Sequence, residues 1–202
     1  GEWKAMVADE AARTTFAKNI KTVLEKNKLD GIDLDFEWAE NEKEYKDYSL
    51  AILKMREVLG DKYLFSVSLH PVCYKISKKA IEAVDFISLQ CYGPSPVRFP
   101  IEKYCSDIQM VLEYGIPKEK LVAGVPFYGV TKDNSKKTEA YFNFVQDGLI
   151  TSPSQNEVIC QGDTYVFDGQ DNIRIKTRYA KEQKLKGMMS WDLATDLPLK
   201  IG

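Results

Sequence analysis

Apolar residues recur along this chain with two different periods, and the switching between them lays out the elements. Phe16, Ile20, Val23 and Leu24 form one stripe of a helix running from about Asp9 to Asn27. Gly31 to Phe36 alternates apolar and acidic residues and reads as a strand. Tyr45, Tyr48, Ile52, Met55 and Leu59 then step at helical spacing toward Gly60, a helix stop. Leu64 to Leu69 reads as strand, Ser77 to Val84 as a short helix, and Phe86 to Tyr92 as a strand. On that strand Ile87, Leu89 and Cys91 face one side and Ser88, Gln90 and Tyr92 the other. Ile101, Tyr104, Cys105, Ile108, Val111 and Leu112 predict a helix ended by Gly115 and Pro117. LVAGVPFYG, residues 121 to 129, is strand-like and closed by glycine. Residues 131 to 170 are polar and irregular, a helix spans about Ile173 to Lys184, and GMMSWDL, residues 187 to 193, supplies a last strand.

Five strands separated by helices predict an α/β fold, a parallel sheet with covering helices. The expected organisation is a single domain over residues 1 to 202, with 131 to 170 as a short insertion within it. Composition changes this picture little: 202 residues with 44% apolar and 11% aromatic content suit one globular domain. Lys plus Arg (28) nearly balances Asp plus Glu (30), with the signs mixed along the chain, so no basic face is expected for nucleic acid. No apolar run is long enough for a membrane span. Cys73, Cys91, Cys105 and Cys160 are widely spaced, and with one histidine in the chain neither a metal site nor a cofactor is expected. The cysteines read as packed thiols, Cys91 as a buried inert one, with a disulfide left open by spacing alone.

The chemistry concentrates in DGIDLDFEW, residues 30 to 38, where Asp33, Asp35 and Glu37 alternate with Ile32, Leu34 and Phe36. Such a strand could be the wet face of an antiparallel sheet. Asp is a poor strand former, however, and like charges on one face repel. On a parallel strand the apolar face turns to the helices, so the acids point into the middle of a curved sheet. Carboxylates roughly 6.6 Å apart along one face are expected to occupy a partly dry cleft, where at least one holds a proton near neutral pH, as a general acid must. Calcium loops are also rich in Asp, but they need tight turns and a Gly rather than bulky residues at alternate places. Asp30 is out of register and reads as a turn residue. His70, at the end of its strand, would lie at the mouth of the fold, with a hydrogen-bonded structural role as the plainer reading. Trp3 and Trp38 read as packing residues, and the lysines around Lys132, Lys136 and Lys137 as a solvated loop.

D-G-I-D-L-D-F-E resembles the D-x-x-D-x-D-x-E signature of glycoside hydrolase family 18, the chitinases and their relatives. SLQCYG, LVAGVPFYG and GMMSWDL are similar to the later strands of that family, in the right order. The resemblance implies a (β/α)8 TIM barrel of which this chain carries the fourth to eighth strands, as a partial barrel lacking the first three. Gly1, Glu2 and Trp3 would be the tail of the third strand, and the open sheet edges would invite self-association.

By position, the resemblance implies Glu37 as general acid and base, Asp35 as the group that orients the substrate's N-acetyl arm, and Asp33 sharing a proton with Asp35. It also implies Tyr92 as donor to the acetamido carbonyl, with Trp191, Gln90 and Tyr128 as substrate-binding residues. Gln90 replaces the commoner Met, and Gly93 stands where many members have Asp. The implied activity is retaining, substrate-assisted cleavage of β-1,4 bonds next to N-acetylglucosamine in chitin or chitooligosaccharides. Endo-attack on N-glycans, cleavage of bacterial cell-wall glycan, and non-catalytic sugar binding are the alternatives. The partner is an oligo- or polysaccharide containing N-acetylglucosamine, and that substrate implies an extracellular or periplasmic setting.

Overall fold

The computed structural model describes residues 2–196. The chain divides into two compact units, one comprising Gly1–Leu89 and Val111–Leu121, the other Gln90–Met110 and Val122–Gly202.

The first unit runs α1 (Glu2–Ala8), α2 (Glu10–Asn27), β1 (Gly31–Asp35), α3 (Glu42–Leu59), β2 (Leu64–Leu69), α4 (Lys78–Ala83) and β3 (Phe86–Leu89). Helices α2, α3 and α4 start where short polar side chains satisfy free N–H groups of the first turn. Asp9 accepts from the Ala12 N–H, Asn41 from Glu44 and Ser77 from Ala80. α2 stops as Lys28 takes a left-handed conformation, and α3 stops at Gly60. The strands pair in parallel, β1 with β2 and β2 with β3, in the registers Asp33 to Ser66 and Ser68 to Ser88. One face of the three strands carries Leu34, Phe65, Val67, Leu69, Ile87 and Leu89, all buried. Helix α3 covers part of it, with the Arg56 guanidinium 5.6 Å from the centre of the Phe65 ring. Gly31 is required by close approach: a Cβ there would lie 2.1 Å from the Leu64 carbonyl oxygen.

Two expectations fail in this unit. Glu2 and Trp3 open helix α1 rather than ending a strand, and Gly1 lies outside the described residues. Val23 is exposed; of the predicted stripe α2 buries Leu24, and with it Ala17 and Arg13, which folds back to donate to the Val7 carbonyl. A charged residue thus belongs to the buried side, which a hydrophobic stripe cannot reveal.

Helix α5 (Ile101–Tyr114) precedes β4 (Leu121–Pro126), β5 (Tyr128–Thr131), β6 (Thr138–Ala140) and α6 (Tyr141–Gln146). β7 (Glu157–Cys160), β8 (Asp163–Val166), α7 (Gln170–Glu182) and β9 (Gly187–Trp191) complete the described elements. In the second unit β4 pairs in parallel with β9, while β6, β5, β8 and β7 form a separate antiparallel sheet. The stretch LVAGVPFYG is therefore two strands, not one. The chain leaves the parallel pair after Pro126, and Tyr128 begins the antiparallel sheet.

Residues 131 to 170 are likewise not irregular. They form most of that sheet around Val130, Tyr141, Phe144, Val158, Tyr165 and Phe167, with the rings of Phe144 and Phe167 5.4 Å apart. Gly129 is tight against this cluster, since a Cβ there would meet the Phe144 ring at 2.8 Å. Strands of three and four residues are too short to display a period, which is why the sequence reads as loop. Beside the cluster a fully buried ion pair joins Lys176 to Asp168 at 2.6 Å. The Lys176 ammonium also lies 5.3 Å from the centre of the Tyr104 ring. Burial raises the Asp168 carboxyl above its ordinary range, with the Lys176 charge opposing that rise.

Candidate active site

The acids and the aromatic candidates fall in different units, and each set has its own local frame. In the first unit, strand alternation buries Leu34 and Phe36 and turns Asp33, Asp35 and Glu37 to the other face. The buried side is held by aromatic packing. Phe36 stacks on Tyr48 of α3 with centroids 4.7 Å apart, and Trp3 meets Phe36 edge-on at 6.3 Å and Phe16 at 5.3 Å. The Tyr48 hydroxyl donates to the Leu34 carbonyl at 3.1 Å. Burial, then the nearby Asp33 and Asp35 charges, pushes that phenol well up, so it remains a donor at working pH. These contacts fix the strand from behind.

On the acid side, Asp33 receives one hydroxyl on each carboxylate oxygen, Ser66 at 2.5 Å and Ser68 at 2.7 Å. Both serines are nearly closed to solvent. The parallel register accounts for the pairing: Ser66 lies opposite Asp33 and Ser68 opposite Asp35, and residues two apart on β2 share a face, so both hydroxyls stand on the acid side. Ser88 continues the hydroxyl row on β3 opposite Ser68. Sequence reasoning passed over these serines; the alternation F-S-V-S-L was the available signal.

The expectation of a partly dry cleft is not met in this frame. Asp33, Asp35 and Glu37 are all exposed, since among the described residues β1 is paired only with β2. Asp33 finds its partners in the serines. None of the ion pairs among the described residues involves Glu37. Trp38 follows Glu37 and packs against His70, ring centroids 5.1 Å apart, while the Val72 N–H donates to His70 Nδ1 at 3.3 Å. His70 is hydrogen-bonded, in keeping with the structural reading. The Glu37–Trp38 and Trp191–Asp192 peptide bonds are cis.

The second unit holds the aromatic candidates. Gln90 and Tyr92 are buried, and the Tyr92 hydroxyl points to the Met189 sulfur at 3.6 Å. Tyr128 stands edge-on to Tyr92 at 6.5 Å. Burial pushes the Tyr128 phenol up to about 12, against the effect of the Gly93 N–H, which donates to its oxygen. Tyr128 thereby ties β5 to the residue after Tyr92. Trp191 ends β9 opposite Pro126, and its carbonyl accepts from the Phe127 N–H at 2.8 Å. More than half of its surface is open, 53%, so an indole face is available as a platform. Asp192 then caps a short turn of helix at Leu193–Thr195. Cys91 is buried and its thiol is raised far above the ordinary range, chiefly by desolvation, as expected of an inert packed cysteine. All four cysteines are free thiols.

Comparison with known proteins converges on one family. The family model for glycosyl hydrolases family 18 matches residues 1–196. "Probable chitinase 2" of Drosophila melanogaster is 23% identical over 258 residues, covering 96% of this chain and 53% of its own length. Among solved structures, a family 18 chitinase from the chitin utilization locus of Flavobacterium johnsoniae aligns with a TM-score of 0.79 and 27% identity, covering 96% of this chain and 64% of that one. A chitinase-like agglutinin from Robinia pseudoacacia aligns at 0.80 with 18% identity, covering 95% of this chain and 71% of that one. The present chain therefore spans about half the length of the Drosophila relative. These likenesses identify the fold as that of the TIM barrel, present as a part of it.

Proposed function

The chain belongs to family 18 of the glycosyl hydrolases, and from that premise we propose that it cleaves β-1,4 bonds next to N-acetylglucosamine in chitin or chitooligosaccharides, with retention at the anomeric carbon. Glu37 gives its proton to the glycosidic oxygen as the bond to C1 breaks, and the substrate's own acetamido oxygen closes on C1 from the opposite side. Asp35 orients that acetamido group through its N–H and balances the positive charge of the ring so formed. Glu37, now a carboxylate, takes a proton from water as the water adds to C1, which reopens the ring and restores the original configuration. Asp33 lies on the same strand face as Asp35 and shares a proton with it, which relieves the repulsion between the two carboxylates. Tyr92 donates to the acetamido carbonyl, Trp191 offers an apolar face to the sugar ring, and Gln90 and Tyr128 complete the binding surface.

The observation that carries this reading is the single-faced row of Asp33, Asp35 and Glu37 at the C-terminal end of a parallel strand, with Asp33 oriented by two serines. Active sites of barrel folds collect at that end of the strands. Hydrolysis of a chromogenic N-acetylglucosamine oligosaccharide tests it: Glu37→Gln is expected to lower kcat by a factor of about 10² to 10⁴. The first product seen by NMR should be the β-anomer. A folded wild-type chain that fails to turn over would remove the proposal.

A second reading is non-catalytic sugar binding. The likeness to a chitinase-like agglutinin favours it, as do Gln90 and Gly93 where Met and Asp are commoner. It predicts saturable oligosaccharide binding without turnover, unchanged in Glu37→Gln. A glycan panel separates chitin from N-glycans and cell-wall glycan as substrates. An extracellular or periplasmic setting belongs to this proposal through the substrate. None of the described helices is long and apolar enough to cross a membrane.

A further inference from the structure

The first unit carries a groove of about 540 Å³ that none of the proposed catalytic residues lines. One wall is α3 and the other is the segment around Lys75 and Ser77 that leads into α4, with Tyr114 between them. Helix α3 buries Tyr48, Ile52, Met55 and Leu59 as its core stripe. Leu50 and Leu53, three residues apart and so on one ridge, form a second apolar stripe that opens into the groove. A helix covering a sheet on one side ordinarily presents polar residues there. Leu50 is nevertheless 37% exposed and Tyr114 41%.

The tyrosines give this apolar floor fixed sides. Tyr114 is anchored by its hydroxyl, which donates to the Ile76 carbonyl at 2.9 Å, and by an edge-on contact with Tyr74 at 5.2 Å. Burial pushes the Tyr45 phenol up to about 12, so it is neutral at working pH. The serines lining the groove are already engaged. Ser49 donates to the Tyr45 carbonyl and accepts from the Ser77 N–H, and Ser77 Oγ accepts from the Ala80 N–H. Polar recognition therefore falls to the rim, where Lys46, Lys75 and Lys79 face one carboxylate, Glu42. None of the ion pairs among the described residues involves these three lysines, whereas Lys43, Lys54 and Lys78 nearby each hold an acid. The rim is positive over an apolar floor.

We propose that this groove binds an organic anion with an apolar body, of the aryl or acyl carboxylate and sulfonate class. The body rests on Leu50 and Leu53 between the tyrosine rings, and the anionic head is held by Lys46, Lys75 and Lys79. The volume falls within the range of small-molecule sites, about 300 to 1,000 Å³. Charge complementarity selects the anion, since three ammonium groups share a rim with one carboxylate.

Fluorescence titration of the 202-residue chain with anilinonaphthalene sulfonate tests this, with phenylnaphthylamine as the uncharged counterpart. One saturable site is expected. The double substitution Lys75→Glu with Lys79→Glu should weaken it about tenfold, and Leu50→Asp should weaken it at least as much. Lys18→Glu, on the exposed side of α2, should leave it unchanged. Phenylnaphthylamine should bind wild type more weakly than the sulfonate and should not respond to the lysine reversals. Near-ultraviolet circular dichroism and a cooperative melt establish that each variant is folded. Unsaturable binding, several equivalent sites, or a saturable site indifferent to the reversals in a folded variant would overturn the proposal. Because the readout is dye binding, it stands or falls independently of glycoside hydrolysis.

Discussion

At Asp33 two serine hydroxyls converge on one carboxylate, and the consequence is orientation more than stability. Each hydrogen bond to a charged acceptor contributes on the order of 1.5 to 3 kcal/mol when intact, but an exposed carboxylate can exchange a lost partner for water. Replacing Ser66 and Ser68 together by Ala should therefore leave the melting temperature within a few degrees of wild type. It should lower kcat about tenfold, because the carboxylate next to Asp35 is no longer held in place. Thermal melts and steady-state kinetics on a chromogenic oligosaccharide check both halves, and an unchanged kcat would separate Asp33 from the reaction. The three acids were legible from spacing alone. Their exposure was not, because solvent access depends on which strands lie beside β1 and not on β1's own sequence.

Between elements, Asp85 does work that no periodicity shows. Placed just before β3, it accepts from the Phe65 N–H at the start of β2 and from the Arg56 guanidinium of α3, each at 2.7 Å. Burial alone would raise its carboxyl, but the Phe65 N–H and the Arg56 hydrogen bond and charge together hold it below the ordinary 3.8. A depressed folded value means that the contribution is fully present above 3.8 and disappears as pH falls through the lower folded value. Asp85→Asn should thus lower the melting temperature by a few degrees at neutral pH, and the gap to wild type should close as pH falls below 3.8 through the lower folded value. Melts across a pH series read this directly; a gap that is constant with pH would assign the effect to geometry alone. The helices capped at Asp9 and Ser77 could be placed from sequence to within a residue or two, whereas the stripe from Tyr45 to Leu59 marks the end of α3 but not its start behind Asn41. The split of residues 121 to 129 into β4 and β5 could not, since Pro126, Phe127 and Tyr128 look like one continuous apolar run.

On the scale of the whole molecule, β1 carries hydrogen-bonding groups on an edge that is unpaired among the described residues. Such edges pair with whatever strand is available. We expect the isolated 202-residue chain to self-associate, with a weight-average mass that rises with concentration in sedimentation velocity. A mass that stays at one chain throughout would exclude pairing at that edge. The sequence by itself determined the alternation of strands and helices, the acid row and its single face, and the family. Each of these is written in local spacing, at a period of two for a strand and near four for a helix. Only the tertiary structure decided that residues 131 to 170 form a sheet, that Arg13 and Lys176 lie inside, and that the acids stand open on an edge strand. It also decided which hydroxyls hold Asp33, because Ser66 and Ser68 lie 33 and 35 residues further along the chain. They reach the carboxylate only through the register of two strands, and that register is set by the packing of the whole sheet rather than by either strand's own pattern.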